Sequence, residues 1–232
     1  MSRPEPYSST PEPPKSRAGL IDMSALNADL EDANTATHAV GLIAALFGAR
    51  FLLSSISLGQ TPATYLACGI YTASLISVFG ASCLYHSALD AEKKGTLRAI
   101  DQICIYLLIG GTATPLFQTL LPPQLAGTMI ATVWSIGAVG IALRLCFPKR
   151  LDGVGILLCL AMAWCGAGTL NFFVPEAPAL AKPLIVGGGI AFTSGLLFYL
   201  SEPWFRWGHV IWHIFVLAGT ALHFAAVTLA VG

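Results

Sequence analysis

Charge is scarce in this chain: 10% of its 232 residues are Asp, Glu, Lys or Arg, against about 25% in an average soluble domain. That scarcity argues against a soluble fold. There is no excess of one sign, since twelve basic residues meet twelve acidic ones, so nothing in the charge balance favours a nucleic-acid partner. Cysteine is sparse and scattered. The six, at 68, 83, 104, 146, 159 and 165, all lie in apolar stretches and read as small buried hydrophobes, not as a secreted disulfide framework. Alternating apolar and polar runs are missing, which argues against a membrane β-barrel, and there is no convincing internal repeat. The 55% apolar content points to an all-α integral membrane protein.

Residues 1–37 stand apart. Five prolines in the first fourteen positions, mixed with Ser, Glu and Lys, read as a disordered tail. Leu20, Met23, Leu26 and Leu30 then follow at helical spacing, with Asp22, Asp29 and Glu31 between them. This segment is either a short interfacial helix or a solvated linker on the cytoplasmic side. Met1 and Met23 are both possible starts. The tail does not read as a signal peptide, because the first apolar stretch continues for a full span.

A helix needs about 20 mainly apolar residues to cross a bilayer. Seven stretches qualify, near 38–58, 62–89, 99–120, 124–146, 153–173, 183–201 and 208–230. The expected architecture is a seven-transmembrane helix bundle over 38–232. With that topology ten basic residues fall on the side of the N-terminus and only Lys182 on the other, Arg50 lying inside the first span. The positive-inside rule places the N-terminus in the cytoplasm and the C-terminus outside.

Ionisable groups inside a membrane are costly and are functional candidates by default. His86 ends span two, Asp101 opens span three, and His209 and His213 begin span seven. The topology puts all four beneath the same leaflet. His209 and His213 are at i and i+4, so their rings leave one helix face. With His86 they form a three-histidine set with room for a fourth ligand, the pattern of a catalytic zinc site. Asp101 is placed to hold a water or take its proton. Ser82, four residues before His86, shares its face. The same spacings fit a buried polar network, in which Asp101 pairs with Arg98 and Ser82 bonds its own helix backbone.

Other polar residues read differently. His38 fits a bond to a neighbouring helix, and His223 a buried polar contact, about 15 Å beyond His213 along its helix. Glu202 reads as a helix-end charge or a residue near the histidines. Gly187–Gly188–Gly189 and Gly110–Gly111 suit close helix packing, and Pro115 a kink.

The segments Asn34-Thr35-Ala36-Thr37-His38-Ala39-Val40-Gly41, Ser82-Cys83-Leu84-Tyr85-His86, Asp101-Gln102-Ile103-Cys104-Ile105-Tyr106, Gly110-Gly111-Thr112-Ala113-Thr114-Pro115 and His209-Val210-Ile211-Trp212-His213 resemble the hemolysin III family. That family is the bacterial branch of the progestin and adipoQ receptor proteins. The resemblance implies seven membrane helices and a zinc ion near the cytoplasmic face of a bacterial inner (plasma) membrane. By motif match the ligands are His86, His209 and His213. Asp101 matches the acid that contacts the zinc-bound water, and Ser82 the motif serine. The wider superfamily includes alkaline ceramidases, which implies hydrolysis of a lipid amide or ester, with membrane lipid as the partner. The chain departs from the pattern at Gln102, where a histidine is common, at Ala113, where tyrosine is usual, and at Gly208, where a serine often stands.

Three functions compete on this reading. The first is a zinc-dependent lipid hydrolase. The second is a receptor-like or regulatory membrane protein with a structural zinc. The third is a pore-forming cytolysin, disfavoured because no charged amphipathic segment is present to line an inserted pore.

Overall fold

The computed structural model describes residues 23–147, 151–166 and 178–232. The proline-rich part of the tail, the basic run at 148–150 and the end of the fifth expected span lie outside the described residues.

Seven α-helices and no strand occur among the described residues: α1 (Met23–Ser55), α2 (Pro62–Ser87), α3 (Ala91–Leu120), α4 (Pro123–Cys146), α5 (Asp152–Cys165), α6 (Ala181–Ser201) and α7 (Gly208–Val231). Six are long and apolar enough to cross a membrane; α5 is shorter, at 14 residues. A chain that must satisfy every backbone amide without water can do so within helices, and the apolar runs supply the length.

The helix ends follow local chemistry. Thr61 caps α2 through its hydroxyl, with Pro62 at the first helical position, where its missing N–H costs nothing. Asp90 caps α3 by accepting the Lys93 amide at 2.9 Å. The turn between α1 and α2 uses Gly59 at φ +97°, a conformation that side chains disfavour. Beside it, the Ser57 amide donates to the Val231 carbonyl at 3.1 Å, tying the end of α7 to that turn.

Two helices begin earlier than hydropathy predicts. α1 starts at Met23, not near 38, and α3 at Ala91, not near 99. Both extensions carry charged residues, which leave a hydropathy window but not a hydrogen-bonded helix. Asp101 therefore lies in the third turn of α3 and does not open it.

Packing forms two cores. Leu52, Tyr71, Leu75, Phe79, Val216 and Val227 join α1, α2 and α7 to α3. Tyr106, Phe117, Val133 and Met162 join α3 to α4 and α5. Close approach of α6 and α7 depends on small residues. A Cβ at Gly188 would overlap the His223 ring, and one at Gly219 would lie 2.7 Å from Phe192. Gly110 lies against the Trp134 indole of α4, whose N–H donates to Thr114 at 3.0 Å. Val40, Ile43, Phe47 and Phe51 face outward from α1, with Phe47 74% exposed. An apolar outer surface of this extent suits lipid.

Candidate metal centre

The N-terminal turns of α1, α3 and α7 and the C-terminal turn of α2 meet at one end of the bundle. α7 carries His209 and His213 one turn apart. α2 brings His86 opposite them. The ring centroids of His86 lie 5.1 Å from His209 and 5.0 Å from His213, and those of the α7 pair 4.7 Å from each other. One nitrogen of each ring falls within 4.8 Å of the others, so a single ion is within reach of all three. His86 and His213 are buried and His209 is partly exposed.

Each ring has its Nδ1 on an oxygen. His86 Nδ1 is 2.6 Å from Glu31 Oε2, and Glu31 Oε1 accepts from Lys94 Nζ at 2.7 Å. His209 Nδ1 is 3.3 Å from Glu202 Oε2. Hydrogen bonding to that ring holds the Glu202 carboxyl below its ordinary range. His213 Nδ1 is 3.1 Å from the Thr37 hydroxyl. Thr37 gives its one hydrogen to the Asn34 carbonyl at 2.8 Å, so it accepts from His213. Carboxylate and hydroxyl acceptors select the Nδ1–H tautomer and leave Nε2 as the donor atom.

Buried polar atoms without a hydrogen bond are rare in native structures. Among the described residues they are Asn34 Oδ1, both nitrogens of His38, Ser82 Oγ, His86 Nε2, Tyr71 OH and Thr220 Oγ1. The first five belong to residues in or beside the triad. An unpartnered His86 Nε2 opposite two further imidazoles fits a metal ion, and neutral imidazole suits zinc.

His38 does not bond to a neighbouring helix as its spacing suggests. Its ring stacks on His213, with centroids 3.7 Å apart and planes at 22°, and meets the edge of Phe79 at 5.3 Å. Ser82 does not bond its own backbone. It is 1% exposed, and its hydroxyl lies near the Asp101 carboxyl without completing a hydrogen bond of normal geometry. Asp101 faces Ser82, His209 and Arg98. Arg98 does not pair with it but reaches Asp152 at 3.4 Å. His223 makes the expected buried contact, to the Ile185 carbonyl at 3.0 Å, far from the triad.

Sequence reasoning gave Glu31 no role at the site: it placed the residue in a segment read as either an interfacial helix or a linker, and the helix is what forms. The available signal was register: Glu31, Asn34 and His38 are at i, i+3 and i+7 and share one face of α1.

Long apolar helices around a histidine cluster define an integral membrane helix bundle with a triad able to hold a metal ion. The "Haemolysin-III related" family description matches residues 27–224, and the chain belongs to that family. It is 29% identical to "Hemolysin-3" of Bacillus cereus over 197 residues, covering 85% of this chain and 90% of the relative. It is 30% identical to the "Hemolysin-3 homolog" of Bacillus subtilis, with 85% and 92% covered. The human "Monocyte to macrophage differentiation factor" is 24% identical over 202 residues, with 84% and 82% covered. No solved structure gives a significant match.

Proposed function

We propose that this protein is a zinc-dependent hydrolase of a membrane lipid amide or ester, working at the cytoplasmic face of a seven-span bundle in a bacterial inner membrane. The observation that carries this reading is the convergence of three imidazoles, one nitrogen of each within 4.8 Å, beside an acid and a buried hydroxyl. His86, His209 and His213 would hold the zinc, which would supply Lewis acidity for activating a water and polarising a carbonyl. Asp101 is placed to orient a water, take its proton and return it to the departing amine or alcohol. Ser82 donates its hydroxyl hydrogen to the developing oxyanion. Glu31, Thr37 and Glu202 hold the three rings.

A second reading has an observation of its own. The triad links the C-terminal turn of α2 to the first two turns of α7, so a zinc there would staple the bundle. In that case the protein is receptor-like or regulatory and turns over no lipid.

The test is metal content by mass spectrometry on detergent-purified protein, wild type beside His209→Ala/His213→Ala. About one zinc per chain, lost in the double variant, is expected. Release of fatty acid from lipid amides or esters by the zinc-loaded wild type then favours the hydrolase. A large loss of thermal stability in the double variant, with no product from the wild type, favours the staple. A folded wild type that takes up no zinc removes both.

A further inference from the structure

Glu31 is the residue at this site that only its register with Asn34 and His38 marks out in the sequence. It sits on α1, on a different helix from every member of the triad. Its carboxylate is 37% exposed, yet it reaches a ring nitrogen of His86, whose side chain is 3% exposed. The 2.6 Å separation is shorter than that of an ordinary N–H···O bond, and a carboxylate acceptor shortens such bonds. Lys94 of α3 takes the other oxygen at 2.7 Å and lies over the Tyr85 ring at 5.4 Å. The carboxylate is thus pinned from both sides, with one oxygen committed to the imidazole.

The geometry points to Glu31 as a positioning residue of the metal centre: by accepting the His86 Nδ1–H it turns Nε2 toward His209 and His213. This rests on the metal-centre reading above and deepens it, because the first turns of α1 become part of the centre. The competing role is a plain helix tie, in which Glu31 serves only to hold Lys94. The two roles differ in what an uncharged replacement does. Gln and Met resemble Glu in size, but only Gln keeps an oxygen that accepts the Nδ1–H. Lys94→Met removes the tie and keeps the acceptor.

The experiment is a competitive-chelator titration of zinc on the detergent-solubilised full chain, with thermal unfolding of the zinc-free proteins alongside. Glu31→Met is expected to weaken zinc binding by about 10–100-fold, as loss of a histidine's acceptor does elsewhere. Glu31→Gln is expected to restore most of that loss, and Lys94→Met to cost less than Glu31→Met. Equal weakening by Gln and Met, or affinity for Glu31→Met within about threefold of wild type, overturns the inference while wild-type zinc binding stands. A wild type that binds no zinc overturns the metal-centre reading itself. Should Glu31→Met not fold, 15N spectra of histidine-labelled wild type decide. An Nδ1–H tautomer at His86 supports the inference, and an Nε2–H tautomer overturns it.

Discussion

Two carboxylates at the same end of the bundle each bridge two partners. Glu31 joins His86 to Lys94. Asp152 joins Arg144, at 2.6 Å, to Arg98, at 3.4 Å. The surroundings differ. Around Asp152 the groups close on themselves: Arg144 is buried and paired, and the Tyr106 hydroxyl donates to the Gly155 carbonyl at 3.3 Å. None of the unpartnered buried atoms among the described residues lies there. Around Glu31 five such atoms gather on Asn34, His38, Ser82 and His86. Charge enters a membrane bundle either to finish the packing or to serve a ligand, and the state of the neighbouring polar atoms tells the two apart.

The largest expected effect lies in the histidine region. On the proposed hydrolase reading, Asp101→Ala is expected to lower lipid turnover by about 10²–10⁴-fold, the usual worth of a general base, with zinc content unchanged. Turnover assays paired with mass spectrometry check this, and full activity in the variant defeats the mechanism. The arginine region breaks in the opposite manner. Asp152→Ala removes the carboxylate that Arg144 and Arg98 share. It is expected to cost about 1–3 kcal/mol, less than a fully buried pair because Asp152 is partly exposed. Thermal unfolding reads this as a Tm lower by several degrees, with zinc affinity unchanged. A fall in zinc affinity would mean that the two regions are coupled.

Smaller effects sharpen the contrast. Gly188→Ala presses a methyl group into the His223 ring on α7. Overpacking of that kind costs about 1–3 kcal/mol, and it should lower Tm without moving zinc content. Thr37→Val removes the neutral acceptor of His213 and is expected to weaken zinc binding less than Glu31→Met does, by roughly threefold to tenfold. The same chelator titration measures it.

Much of this was legible in the sequence. The apolar runs located α4, α6 and α7 to within a residue or two, because helix length and lipid thickness obey one constraint. The i, i+4 spacing of His209 and His213 puts both rings on one face of α7. The start of α3 was not legible, and for α1 the spacing offered a helix before the first span without showing that the two are continuous. Hydropathy reports where a residue partitions, whereas a helix continues wherever backbone bonds continue, so Glu31 and Lys94 fall outside the hydropathy spans while still on helices. Nor did spacing give the partners of Arg98, His38 or Ser82. Those depend on how helices rotate about their axes, which only packing decides.

That rotation gives the N-terminal half of α1 a particular meaning. Glu31 meets α2, Thr37 meets α7 and His38 stacks on His213, all from one continuous helix. Successive residues advance by about 100° around such a helix. One residue inserted between Glu31 and Asn34 would swing Glu31 through that angle and leave Thr37 and His38 where they are. The segment acts as a phase gauge: substitutions on its outer face are free, but its length between those contacts is quantised, and a deletion of one residue does what no single outward-facing substitution can.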